Sequence, residues 1–219
     1  MFGLDASHIL MRAALVLPPL LLSLTVHEWA HAWSAFRLGD DTAARMGRLT
    51  LNPLAHADLL GTVILPIFSP IPFGWAKPVP VNAARFRRDI SMSTGMILTA
   101  AAGPLANVLL AVACTVVAAM LYRFAPGLLA DGGGVKELLL IAISMNVSLA
   151  LFNLIPIPPL DGSRIVDGLM PLRWRPQWES FVRFAPLLLI AVILYGGRLI
   201  AGPSDAFMRA LDQLFAALT

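Results

Sequence analysis

"LTVHEWAHAWSAF", Leu24 to Phe36, sets two histidines and a glutamate inside an otherwise oily run. That run extends from about Ile9 to Phe36 and ends at Arg37. As a helix it is roughly 40 Å long, enough to cross a hydrocarbon core of about 30 Å. Ionisable groups inside a bilayer cost a few kcal/mol each even on generous insertion scales, and they mark function by default. His27 and His31 are four positions apart, so on a helix they stand one turn apart on one face and can share a metal ion. Glu28 can reach a water on that ion without being a ligand. "HEWAH" is thus the H-E-x-x-H pattern in which zinc activates water and the glutamate takes its proton. The plainer alternatives are that the histidines bridge to neighbouring helices and that Glu28 pairs with an arginine such as Arg45. His31 lies six residues before Arg37, which puts it about 9 Å of helix from the interface and His27 about 15 Å.

The rest of the chain agrees with a membrane setting. Of 219 residues, 58% are hydrophobic and 13% charged, and the mean hydropathy is +0.77. Soluble domains carry about twice that charge. The net charge is +3, but the basic residues lie between apolar runs with no aromatic interleaving, which excludes a nucleic-acid partner and suits a lipid bilayer. The single Cys114 excludes an intramolecular disulfide. The weak, Asp5-containing start argues against a cleaved signal peptide. Three further spans are expected at about Ser93 to Tyr122, Val135 to Asn153 and Ser180 to Arg198. Between the first two spans, "ARMGRLTLN" offers a short strand. Leu59 to Phe73 is apolar but too short and proline-broken to span, and "KPVPVN" reads as extended chain. The tail, 202–219, sets Phe207, Leu211, Leu214, Phe215 and Leu218 on one face and is expected as a surface helix capped by Ser204. The fold class is therefore an all-α polytopic membrane protein, one domain over 1–219. It has about four transmembrane helices, a re-entrant, β-containing segment and a C-terminal amphipathic helix.

A catalytic zinc takes three protein ligands and a water. Candidates for the third are His8, His56 and Asp161, the last in "LFNLIPIPPLDGSRI", where Pro156, Pro158 and Pro159 end a helix. Irregular chain at membrane depth is tolerated where it lines a cavity. If Leu59 to Phe73 is re-entrant, His31 and Asp161 lie at the same ends of their helices. Eleven of the 16 Lys and Arg then share that side as well, which the positive-inside rule makes cytoplasmic.

"HEWAH" with "NLIPIPPLDG" resembles the paired signature of the site-2 protease family of intramembrane zinc metalloproteases, in its short prokaryotic form without PDZ or CBS domains. "NPLAHADLLGTVILP", "GWAKPVPVN" and "AAGPLANVLLA" carry the resemblance across most of the chain. It implies that His27, His31 and Asp161 bind one Zn2+ ion, that Glu28 is the general base, and that Asn153 orients substrate or the oxyanion; the plainer alternative for Asn153 is a helix C-terminal cap. The last part of the second motif reads Asp161-Gly162-Ser163, where the family often has Asp-Gly-Gly. It further implies a transmembrane protein substrate, an inner- or plasma-membrane location, and cleavage in or near the substrate's span. With no PDZ domain to screen substrates, an unidentified accessory subunit is a candidate partner. Asn107 in "GPLAN" is expected to meet Asn153 or substrate, or to bridge helices. His56 is expected to anchor its loop or to gate the site. The "KPVPVN" stretch is a candidate edge for an unwound substrate. Two rival functions stand beside the protease: a metal transporter using the same trio, and a proteolytically inert binding or quality-control protein of the same fold.

Overall fold

The structure, a computed structural model, describes residues 6–68, 74–130 and 134–219. Among the described residues four helices are long and apolar enough to cross a membrane: α1 (Ala6–Arg37), α3 (Met92–Phe124), α4 (Val135–Asn153) and α7 (Ala185–Leu218). Shorter helices lie between them: α2 (Leu59–Phe68), α5 (Asp161–Leu169) and α6 (Arg175–Arg183).

Helix α3 is the hub, packing against α1, α4, α5 and α7. Its buried positions Thr99, Ala100, Gly103, Pro104, Asn107, Ala111, Thr115 and Ala119 follow one another at helical spacing. They are mostly small, which lets neighbouring backbones approach closely, as membrane helix pairs require. Ser91 starts the helix by accepting a hydrogen bond from the Thr94 amide at 3.0 Å.

Pairwise contacts fix the topology. His31 meets Thr99 and His27 meets Asn107, so α1 and α3 run antiparallel. Asn107 meets Asn146, and Ala111 shares a core cluster with Ile143 and Val147, so α3 and α4 are antiparallel as well. Gly196 lies against Phe152 while Leu211 joins the Ile143 cluster, which reverses α7 against α4. Arg37, Met92, Asn153 and Ala185 consequently share one end of the bundle. The chain between α1 and α3 leaves and returns at that end. With ten residues, α2 is about 15 Å long against a core of about 30 Å. The re-entrant expectation therefore agrees with the connectivity over Leu59–Phe68; its remainder, 69–73, lies outside the described residues.

Two expectations are corrected. No strand forms among the described residues. The "ARMGRLTLN" stretch begins instead with a helical turn, Thr42–Arg45. Fully buried Asp40 holds that turn, accepting from the Thr42 amide at 3.0 Å and from the Asn82 amide at 2.6 Å. Gly47 then turns the chain with φ +67°. The tail is not a separate surface helix: α7 runs through Pro203 to Leu218 without a break. Leu211 is buried against α3 and α4, and Phe207 and Met208 pack on the same cluster. An apolar stripe fits a helical groove as well as it fits a lipid surface. With 34 residues, α7 is about 50 Å long, more than a bilayer core needs.

Candidate metal centre

The two histidines of α1 face α3, and both rings are pinned from behind. His31 Nδ1 lies 2.7 Å from the Thr99 carbonyl. A carbonyl only accepts, so this nitrogen carries the proton. His27 Nδ1 lies 2.6 Å from Asn107 Oδ1, and the orientation of that amide is fixed in turn. Asn107 Nδ2 donates to the Ser23 carbonyl at 3.1 Å and to Asn146 Oδ1 at 2.6 Å. Asn146 Nδ2 donates to the Ala142 carbonyl and to Ser23 Oγ, each at 2.8 Å. Ser23, Asn107 and Asn146 are all fully buried. Two backbone carbonyls thus orient two amides, and the amides orient His27. Both imidazoles are left presenting an Nε2 lone pair forward, the tautomer a metal ligand needs.

Asp161 arrives from the other direction. Pro156, Pro158 and Pro159 prevent α4 from continuing past Asn153. The chain turns, and Asp161 opens α5. A Cβ on Gly162 would meet the Ile155 carbonyl at 2.7 Å, so only glycine lets the turn fold so tightly over that helix start. Asp161 Oδ2 stands 3.2 Å from His27 Nε2 and 3.2 Å from His31 Nε2, and the two Nε2 atoms are 3.0 Å apart.

This cluster is His27, His31 and Asp161, all buried, with one ligand atom each within 4.8 Å of the others. Two lone pairs and a carboxylate oxygen crowd together, and Oδ2 is a buried atom with no well-formed hydrogen bond. Such a set repels itself unless a cation sits among them, a metal ion or a proton. Two nitrogens and one carboxylate oxygen with a fourth direction open are the donor set of a catalytic zinc site. Asp161 is therefore the sequence candidate that the fold brings to the two histidines. His56 is not part of the cluster; it is buried, donates from Nε2 to the Thr50 carbonyl at 2.8 Å, and its own carbonyl accepts from Lys77 at 2.8 Å. The side chain of His8 lies outside the described ones.

Glu28, partly buried, pairs with no arginine among the described residues. Its Oε2 accepts a hydrogen bond from the backbone amide of Val79 at 2.8 Å, while Arg45 is held by Asp41. Asn107 meets His27 and Asn146, not Asn153. Asn153 folds one N–H back onto the Leu149 carbonyl at 2.9 Å. A cleft of about 570 Å³ adjoins the turn that carries Asp161, lined in part by Met96, Pro158, Pro159, Ser163, Arg164 and Trp178. On the opposite flank of α1, Trp29 and Trp33 stack and Arg37 lies over the Trp33 ring, consistent with interface anchors.

Sequence reasoning missed Asn146, Ser23, Thr99 and Val79. For Asn146 a signal existed, since an uncharged polar side chain in an apolar span is itself a reason to look for a partner. Thr99 and Val79 act through their backbones and leave no side-chain signature.

Fold and site together define a helical integral membrane protein with a built site for one metal ion. The description "Peptidase family M50" matches residues 124–195, which include the second motif. A Bacillus subtilis (strain 168) protein named "Putative zinc metalloprotease YwhC" is 36% identical over 203 residues, covering 91% of this chain and 90% of that protein. A Mycobacterium tuberculosis (strain ATCC 25618 / H37Rv) protein named "Putative zinc metalloprotease Rip2" is 34% identical over 175 residues, or 80% of this chain and 64% of that longer protein. No solved structure matches. The chain belongs to peptidase family M50, the site-2 protease family.

Proposed function

We propose that this protein hydrolyses a peptide bond in or beside a transmembrane segment of a membrane-protein substrate, from the cytoplasmic side of a prokaryotic inner or plasma membrane. As a member of its family the chain is a membrane-embedded zinc metalloprotease. The observation that carries the finer reading is where the three ligand atoms converge. They lie about 9 to 15 Å of helix inside the basic end of the bundle, a depth suited to a substrate that is itself in the membrane. The excess of Lys and Arg at that end supports the cytoplasmic assignment.

In this reading His27, His31 and Asp161 would hold one zinc ion. Zinc supplies Lewis-acid chemistry there, polarising a carbonyl and acidifying a water. Glu28 takes a proton from the attacking water and delivers it to the departing amine nitrogen, as the C–O bond forms and the C–N bond breaks. Asn153 has a second N–H beyond the one on Leu149, and that N–H serves as a donor to the developing oxyanion. Asn107 orients His27 and does not touch substrate. The cleft beside Ser163 and Pro159 gives an unwound substrate a path to Asp161. His56 holds the loop that frames this end of the bundle. The whole of 1–219 forms one catalytic domain.

The test is reconstituted protein with bound zinc counted and a panel of single-span substrates. Glu28→Gln should bind zinc and fail to cut, and Asp161→Ala should lose zinc. Cleavage by the Glu28 variant at the wild-type rate would remove the general-base assignment. Equal cleavage of a water-soluble peptide and a membrane-embedded one would count against the intramembrane substrate.

A further inference from the structure

The extended chain from Trp75 to Val79 crosses the site end of α1 and is bonded through alternate residues. The Trp75 amide donates to the Gly61 carbonyl at 3.2 Å, and its carbonyl accepts from Thr62 Oγ1 at 2.9 Å. The Lys77 amide donates to the His56 carbonyl at 2.8 Å, and its carbonyl accepts from Arg48. The Val79 amide donates to Glu28 Oε2 at 2.8 Å. In extended chain the N–H and C=O of one residue point the same way and alternate along it. The backbone N–H and C=O groups of 75, 77 and 79 therefore point inward, and those of 76, 78 and 80 point outward. Two of the outward positions, Pro78 and Pro80, have no N–H. That edge offers almost only acceptors, which disfavours a regular ladder with a substrate strand. The sequence "KPVPV" thus places proline where no donor is used and valine where one is.

We propose that the Val79 backbone N–H is a positioning group for Glu28. It fixes one carboxylate oxygen so that the other is aimed at the attacking water. The inference rests on Glu28 as proton acceptor. A free glutamate side chain would have to give up rotamer freedom on reaching a single geometry. A charge-assisted bond to a backbone donor fixes it beforehand. The donor itself is rigid. Lys77 is tied on one side and the Asn82 amide donates to buried Asp40 at 2.6 Å on the other, while the Val79 side chain is buried with Ala32 and Ala43.

Val79→Pro removes this N–H while keeping a three-carbon side chain, in a segment whose flanking residues are already proline. Val81→Pro is the matched control, because the Val81 amide makes no hydrogen bond among the described residues. Val79→Ala keeps the donor and loses packing. In zinc-loaded protein with zinc counted, Val79→Pro should lower kcat by about 10²-fold, the order expected for a misplaced catalytic group. KM and zinc content should stay near wild type. Val81→Pro should stay within twofold of wild type, and Val79→Ala should turn over at least tenfold faster than Val79→Pro. Equal kcat for the two proline variants would overturn the proposal, while an inactive Glu28→Gln would still uphold the base. A second measurement reads the contact without catalysis, by amide hydrogen exchange across residues 75–82 in zinc-free protein. Glu28→Ala should speed exchange at Val79 and leave Lys77 unchanged. Identical exchange at Val79 in variant and wild type would overturn the proposal even if Val79→Pro fails to fold.

Discussion

Gly103 is the floor of the metal centre, and adding a single methyl group there tests the geometry directly. A Cβ at this position would lie 2.6 Å from His31 Cε1 and 2.7 Å from His27 Cε1, where ordinary contact starts near 3.4 Å. Each ring must retreat by about 0.7 Å or more to make room. The rings cannot slide freely, because Thr99 and Asn107 hold their Nδ1 atoms at 2.7 and 2.6 Å. Metal bonds tolerate about 0.2 Å of error, and a preorganised site tolerates about 0.5 Å. Overpacking of this kind typically costs about 1–3 kcal/mol, and each 1.4 kcal/mol is tenfold in an equilibrium constant. Gly103→Ala should therefore weaken zinc binding by about 10- to 100-fold. In a helix interior alanine is better than glycine by about 1 kcal/mol. That offsets part of the crowding, so the zinc-free protein should melt close to wild type. The assay is zinc competition against a calibrated chelator, paired with thermal melts with and without zinc. Gly197→Ala, where a Cβ meets nothing within 4 Å, is the control and should leave zinc affinity unchanged. Zinc affinity in Gly103→Ala within threefold of wild type would refute the proposed packing of the centre.

Other expectations follow from the same geometry. Asn146→Leu strips Asn107 of one acceptor and leaves Ser23 Oγ without its donor; zinc affinity should fall by about tenfold, as for other groups that orient a ligand, and an unchanged chelator-competition curve would show that the amide pair does not orient His27. Zinc at 100 times its Kd should stabilise the fold by about 2.7 kcal/mol; chelation should lower the melting temperature of wild type and leave that of Asp161→Ala where it was. For the Asp41 carboxyl a small desolvation pushes the pKa up, but the Arg45 hydrogen bond and the charges of Arg45 and Arg85 outweigh it and hold it below the usual range. A depressed folded pKa gives stability that is present above the unfolded value, about 3.9, and lost as pH falls through the folded one. Asp41→Asn should then melt below wild type near neutral pH, with the gap closing as pH falls below the unfolded value of about 3.9, and a gap that persists in strong acid would separate the effect from titration.

What the sequence made legible tracks where the chemistry is written. "HEWAH" puts two candidate ligands on one face by helical spacing alone. Asp161 became a candidate because three prolines force the chain out of a helix just before it. Side-chain identity carried both inferences. Gly103 and Asn107 were visible as small and polar residues in "GPLAN", yet their partners depend on the depth at which α1 and α3 cross, which no local pattern encodes. The tail shows the same limit from the other side. Helical spacing assigns Leu211 and Phe215 to one face, but only the neighbours decide whether that face meets lipid or α3 and α4. The expected strand failed for a related reason, since a strand exists by virtue of its partner. In "ARMGRLTLN" the Thr42–Arg45 turn and Gly47 at φ +67° carry the chain away from any partner. Val79 is the sharpest case. Its contribution lies in an N–H that every residue except proline carries, so the residue type says almost nothing. Only the alternation of Pro78 and Pro80 with Lys77 and Val79 records which amides are in use, and that pattern acquires meaning once the carboxylate of Glu28 is found at its inner edge.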